Sequence, residues 1–350
     1  MSLAWIRSFL PHVWEPIVLD TTSSRLDSRA KPASLIAWAR LVRIPAVFTV
    51  VAQVAAAFLL ASGSPQPISR FCTVILSAVC LYWSGMIFND LWDFEEDKRE
   101  RPTRPLPSGE VSLRAATIAA WGLMIVGVVC AALSGFLPSE DVGNTFVPAM
   151  LGVAIAACIL LYNGPLKSTL FAPITMGLCR SLCFLLGAAP LIVVNANNLG
   201  DPLHWFAPHL LAAGIGIGVY IIGITTISQS ETVGGQATPI GIGTAVIALS
   251  AVCLGLAPRF APAGTIWKVA LEDQFLLLIG LVTCTIVFRG IRATLHPEVA
   301  AIQQLVRVGV LTLIPLAAAF AVLAAGPAWG MAVFSLVVPA LLTAARVRVT

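Results

Sequence analysis

A chain of 350 residues that is 58% hydrophobic and only 11% charged, with a mean hydropathy of +0.91, does not fit a soluble globular protein. The continuous apolar windows lack the alternation of barrel strands, so the remaining class is a polytopic membrane protein built from helices. The net charge of +4 comes from bases scattered over short connecting segments, which argues against a nucleic-acid surface and reads as an orientation signal.

Residues 1–37 carry Pro11, Pro16, Pro32, a Thr21–Ser24 cluster and several bases, without the apolar core of a signal peptide, so this segment is expected to be retained. Leu3–Trp14, with two tryptophans and Arg7, reads either as an interfacial segment or as a disordered tail. Residues 38–350 form the membrane-embedded unit. Its apolar windows predict spans near 40–61, 71–92, 112–134, 146–163, 170–194, 207–229, 238–257, 273–294, 304–325 and 329–346. The last two, joined at Gly326-Pro327, read as two spans or as one span and an interfacial helix, which makes the expected fold all-α with nine or ten spans.

The second window ends abruptly. Phe71 to Phe88 is almost uncharged, and Asn89, Asp90, Asp93, Glu95, Glu96 and Asp97 follow, with Lys98, Arg99, Arg101 and Arg104 behind them. On a helix, Asn89, Asp90, Asp93 and Asp97 share an arc of roughly 100°, while Glu95 points away. Three carboxylates and an amide on one stripe make a hard-oxygen cluster suited to Mg²⁺. A solvated charge run is the plainer alternative, but it does not call for this spacing. The prolines within Arg101–Gly109 should break the helix and turn the chain back, so that Arg101 or Arg104 lies near the carboxylates. Carboxylate-held metal beside guanidinium groups suits a diphosphate.

The fourth window closes with Tyr162-Asn163-Gly164-Pro165-Leu166-Lys167. Lys167 offers an ammonium to phosphate and Tyr162 a hydroxyl; a belt tyrosine and a snorkelling lysine are the alternative. Arg180 lies deep in the fifth window and should face the bundle interior. Its expected partner is an acidic-stripe carboxylate or a substrate anion, with backbone carbonyls or buried water as the structural alternative. In the sixth window, Gly214-Ile215-Gly216-Ile217-Gly218 has no strand before it and reads as close helix packing rather than a dinucleotide loop. That window ends in Thr225–Gly235, where Glu231 could supply one metal ligand and Ser228 and Thr232 hydroxyls, unless this is a plain helix end with a Gly-Gly stop. The eight cysteines, Cys72, Cys80, Cys130, Cys158, Cys179, Cys183, Cys253 and Cys284, fall in apolar windows without a C-x-x-C pair and read as small buried hydrophobes.

With the first segment cytoplasmic, 17 of the 21 bases fall on the cytoplasmic side and Arg70, Arg259 and Lys268 on the other, while Arg180 lies within a span. This split places the acidic stripe on the cytoplasmic face. A cell inner membrane is the expected location.

N-D-x-x-D-x-x-x-D at Asn89–Asp97, with the R-x-x-R-P-L-P-S-G run after it, resembles the first signature of the UbiA superfamily of intramembrane prenyltransferases. Leu41-Val42-Arg43-Ile44-Pro45, the Tyr162–Lys167 run and Arg180 are similar to the family at matching places, and the resemblance covers residues 35–325. It implies a ring of nine helices around a cavity that opens to lipid, with Mg²⁺ held by Asp-rich motifs on the second and sixth helices. It further implies that a prenyl diphosphate loses diphosphate to leave an allylic cation, which a lipophilic or aromatic acceptor captures. By this resemblance Asn89, Asp90, Asp93 and Asp97 hold metal, with the three aspartates catalytic, and Arg101 or Arg104, Tyr162 and Lys167 contact the diphosphate. Arg180 and Ser228 complete the substrate site, and Glu231 is the remaining metal ligand. The family pattern has two or more aspartates where this sequence has only Glu231, a departure in which it is similar to the EboC-like branch. That departure leaves open a non-catalytic binder or transporter of prenylated lipid precursors. An unrelated transporter is disfavoured, because the ionisable residues gather at one membrane end.

Overall fold

The computed structural model describes residues 34–140, 142–194, 201, 204–230, 237–270 and 273–346. Leu3–Trp14 and Glu231, both singled out above, lie outside the described residues. Every predicted window is helical, and no strand occurs among the described residues.

Helix α1 (Leu35–Leu41) stops short of α2 (Ile44–Ser62), because Arg43 takes a left-handed φ of 49° and Pro45 pre-sets the first turn of the new helix. The first span therefore begins at Ile44, a few residues later than the window near 40. Then come α3 (Ile68–Trp92), the short α4 (Phe94–Glu100), α5 (Leu113–Phe136) and α6 (Val147–Asn163). After these, α7 (Ala172–Ala188) is continued by a 3-10 turn to Leu191, and α8 (Pro208–Ser228), α9 (Ala237–Leu256) and α10 (Phe275–Leu295) follow. The last two windows are each broken in two, as α11 (Val299–Leu311) and α12 (Leu313–Ala325), then α13 (Pro327–Phe334) and α14 (Val337–Arg346). Pro315 and Pro339 explain the breaks, since neither has an N–H for the carbonyl four residues back. Among the described residues, 9 helical segments are long and apolar enough to cross a membrane, and Val147–Asn163 is a shorter apolar helix. The protein is an integral, multi-pass membrane protein.

Two apolar clusters share α2 and α7. Val54, Phe58, Cys183 and Leu186 pack with α3, α5 and α6, whereas Ala55, Leu59, Phe184 and Ala188 pack with the later helices. These two helices therefore join the halves of the bundle. The Gly214–Gly218 run serves packing, as read from the sequence. A Cβ at Gly218 would meet Ser181 Oγ at 2.1 Å and one at Gly216 would meet Leu254 at 2.7 Å, while Ser181 Oγ donates to Gly214 O at 2.8 Å.

The surroundings are hydrocarbon, so large apolar side chains such as Ile118, Ile125, Leu277 and Phe288 face outward. This corrects the reading of the cysteines: Cys72 and Cys284 are exposed on outward faces, where lipid imposes no penalty on a small apolar thiol. Away from the acidic stripe, fully buried Arg70 donates to the carbonyls of Leu137 (2.9 Å), Val142 (3.1 Å), Gly143 (3.0 Å) and Pro190 (2.7 Å), pinning α3 to the α5–α6 loop and the end of α7.

Candidate functional site

Helix α3 ends at Trp92, yet the acidic stripe keeps its helical facing. Asp93 N–H still bonds Asn89 O at 3.1 Å and Asp97 N–H bonds Asp93 O at 2.8 Å, which carries the register into α4. Asp90 and Asp97 are buried. The proline-rich segment after α4 folds back as expected. Buried Leu106 and Val111 anchor it, Ser108 N–H bonds Arg104 O at 2.9 Å, and Gly109 supplies the φ of +75° that the turn requires. Arg104 is thereby placed against the stripe, its Nη1 at 2.6 Å from Asp97 Oδ2 and 3.8 Å from Asp90 Oδ1. Arg101 is not brought there. It caps α4 through its backbone and its side chain is exposed.

Lys167 arrives from the segment between α6 and α7. Its Nζ donates to Asn89 Oδ1 at 2.9 Å and also to Asp93 Oδ2. A third cation, which the sequence reading did not place in the site, is Arg43, whose Nη2 lies 3.1 Å from Asp90 Oδ1. The signal for it was a base directly before the Ile44-Pro45 helix start. Burial works against the Arg43 charge, but Asp90, Tyr82 and Asp93 together outweigh it and hold the guanidinium above its ordinary range. Each aspartate of the stripe thus sits on a cation. Among the described residues, no three His, Cys, Asp or Glu side chains converge on one point.

The donor set nonetheless fits a single hard dication. Asn89 Nδ2 lies 3.4 Å from Asp90 Oδ1 and 3.2 Å from Asp93 Oδ2, so two carboxylate oxygens already surround one small donor. The Lys167 ammonium likewise occupies a place between Asn89 Oδ1 and Asp93 Oδ2. Two carboxylates with the remaining positions left to phosphate oxygens and water is the usual protein share of a Mg²⁺ site.

Below the stripe is an open cavity whose polar lining is Tyr82, Asn89, Tyr162, Asn163 and Arg180. The rest is apolar and comes from α2, α3, α6 and α7. Tyr162 lies on this wall. Arg180 corrects the expectation of a carboxylate partner: its Nη1 donates to Gln53 Oε1 at 3.2 Å and to Thr49 Oγ1 at 3.5 Å, and its guanidinium carbon stands 5.8 Å from the centre of the Tyr82 ring. Its neighbours at that depth are the uncharged side chains of α2 and α3, and the acidic stripe lies at the helix end above. Ser228 is not brought to the cavity; its hydroxyl donates to Thr225 O in its own helix at 2.8 Å. A helix-end serine has that carbonyl always in reach.

The model of the UbiA prenyltransferase family matches residues 50–350. A digeranylgeranylglyceryl phosphate synthase of Metallosphaera sedula is 38% identical over 97 residues, which covers 24% of this chain and 34% of that protein. One of Methanoculleus marisnigri is 25% identical over 247 residues, covering 68% of this chain and 80% of that protein. The chain spans only 34% and 39% of the first two curated relatives it matches. Among solved structures, a UbiA homolog from Archaeoglobus fulgidus bound to GPP and Mg²⁺ is similar with a TM-score of 0.54, at 14% identity, covering 85% of this chain and 99% of that one. This last likeness is one of fold.

Proposed function

The chain belongs to the UbiA prenyltransferase family, and on that premise we propose that it transfers a prenyl group from a prenyl diphosphate to a lipophilic or aromatic acceptor within the membrane. The observation that carries this reading is the set of Arg43, Arg104 and Lys167 around Asp90, Asp93 and Asp97, at one end of an apolar cavity. Asn89, Asp90 and Asp93 would hold Mg²⁺, with Glu231 as the contribution from the sixth span, and the bound dication supplies charge stabilisation to the leaving diphosphate. Asp97 keeps Arg104 in place.

Arg43, Arg104 and Lys167 carry as much positive charge as the three aspartates carry negative charge, so free diphosphate must displace carboxylates to reach them. Carboxylates engaged elsewhere release these cations to donate to diphosphate oxygens, with Tyr162 adding a hydroxyl. Rupture of the prenyl C1–O bond leaves its electron pair on the diphosphate. The apolar walls keep water from the allylic cation. The acceptor's nucleophile then bonds to C1 and gives up its proton. The site is assigned to the cytoplasmic face of the cell inner membrane, supported by the lopsided distribution of bases.

The test is Mg²⁺-dependent release of pyrophosphate from GPP and longer prenyl diphosphates by membranes containing the chain, with a panel of lipophilic acceptors. Asp93→Ala is expected to lower the rate about a hundredfold or more, the scale for losing one preorganised charge-stabilising group. Equal rates for the wild type and Asp93→Ala across donors and acceptors would sink the proposal. Binding without turnover would leave the chain a carrier of prenylated precursors.

A further inference from the structure

Arg43 and Arg104 reach the same atom from two separate elements. Arg43 Nη2 lies 3.1 Å from Asp90 Oδ1, and Arg104 Nη1 lies 3.8 Å from it. Arg43 follows α1, whereas Arg104 belongs to the proline-rich segment that turns back after α4. Among the described residues, one polar contact joins α1 to that segment directly: Arg40 Nη2 stands 2.5 Å from Glu110 Oε2.

Each member of this pair is tied through the backbone to a site arginine. Arg43 N–H donates to Arg40 O at 3.1 Å, so the turn that carries Arg40 also fixes where Arg43 starts. On the other side, Ser108 N–H donates to Arg104 O at 2.9 Å and Val111 N–H to Pro105 O at 3.0 Å. These bonds close the stretch from Arg104 to Glu110 into a compact turn. The contacts form a circuit that runs from Arg40 to Arg43, through Asp90 to Arg104, through the turn to Glu110 and back to Arg40.

Stability does not account for the pair. Ala37 and Leu41 of α1 are buried in the same apolar cluster as Leu106 and Val111, which seats both elements without any charge. A partly exposed ion pair gains little in water and must order two long side chains. Arg40 Nε is buried without an acceptor, so among the described residues Glu110 is what holds this guanidinium. Arg43 meanwhile keeps a left-handed φ of 49°, which a residue with a Cβ holds only where its surroundings impose it. The pair gains a role once Asp90 is engaged elsewhere. With Asp90 turned to a dication, the inner link between Arg43 and Arg104 is broken and two like charges are left side by side. Arg40 and Glu110 stand outside that exchange.

We propose that Arg40 and Glu110 are positioning residues for the diphosphate: their ion pair clamps α1 to the proline-rich segment and keeps Arg43 and Arg104 together when Asp90 leaves them. The proposal rests on the prenyl-transfer reading, because it takes a diphosphate as the ligand of the two arginines.

The test is calorimetric titration of GPP, and separately of inorganic pyrophosphate, into the full-length chain in detergent with Mg²⁺ present. Arg40→Gln and Glu110→Gln are each expected to weaken GPP binding about fivefold, the upper end for one partly exposed pair. Arg40→Glu should lose more, since it sets a like charge against Glu110, and adding Glu110→Arg to it should recover most of the loss. In an Arg43→Met background, Glu110→Gln should cost less than in the wild type, because the clamp then has a single arginine to position. A role in folding alone would instead lower the Tm of each variant and add its loss to that of Arg43→Met. Wild-type affinity in both single variants, a folded exchange variant that recovers nothing, or strict additivity with Arg43→Met overturns the clamp. If the wild type turns over GPP while one of these outcomes is found, only the clamp falls. If pyrophosphate binding follows the expected pattern but no prenyl diphosphate is turned over, the transfer reading fails and the clamp stands. A wild type that binds neither ligand overturns both.

Discussion

Lys167 holds the oxygens that a dication would need, Asn89 Oδ1 and Asp93 Oδ2, and it also stands where a phosphate oxygen would seek a donor. These two roles have opposite signs. Lys167→Met is expected to tighten Mg²⁺ binding several-fold in the absence of other ligands and to weaken GPP binding about tenfold, both read by calorimetry. A fall in both affinities would mean that Lys167 merely orders the site. The two arginines of the proline-rich segment also separate. Arg104→Ala is expected to lower kcat/KM about a hundredfold, because it removes a donor and frees Asp97, whereas Arg101→Ala should stay within about twofold because that side chain is exposed. Much of this was legible in the sequence, since a spacing of one, three and four residues is the helix period itself. Arg43 was not, because its contact with Asp90 spans 47 residues and its own neighbours in sequence are apolar. Gln53 and Thr49 as partners of Arg180 were missed for a related reason: they carry no charge, so no pattern of opposite signs pointed to them.

Secondary structure positions these side chains through three local devices, and each has its cause in a few residues. Asp93 sits between α3 and α4 without losing the helical hydrogen bonds, so the stripe stays on one face across the junction. Prolines turn the following segment back, and buried Leu106 and Val111 seat it. Arg43 in its left-handed conformation ends one helix and starts another, which puts its side chain over Asp90. Sequence windows foresaw the helices but not the breaks at Thr312 and Ser335, because hydropathy averages over a proline that removes one hydrogen bond. At the opposite end Arg70 is the corresponding device, and there its partners are four backbone carbonyls. Arg70→Met would orphan four backbone carbonyls and is expected to cost about 3 kcal/mol or more, seen as a lower Tm in detergent with GPP affinity per folded molecule unchanged. A Tm equal to wild type would show that water replaces the guanidinium at no loss.

For the whole molecule, the helices order the two membrane ends independently of charge. Arg43, the Asp90–Asp97 stripe, Arg104 and Lys167 meet at one end, while Arg70 meets Leu137, Val142 and Gly143 at the other. The α5 helix connects them, with Ser108 before its start and Ser139 after its end. The bases crowd the end that holds the site, and the positive-inside rule assigns that end to the cytoplasm. On the proposed function, the consequence would be chemical as well as topological, since a water-soluble diphosphate product would be released on the side from which its prenyl diphosphate came. In a variant freed of its eight cysteines, Ser139→Cys is expected to react with a membrane-impermeant maleimide on intact cells. Ser108→Cys should react only after the membrane is permeabilised. Labelling of Ser108→Cys on intact cells, with Ser139→Cys protected, would reverse the orientation and put the acidic stripe, its three cations and the mouth of the cavity on the outer face.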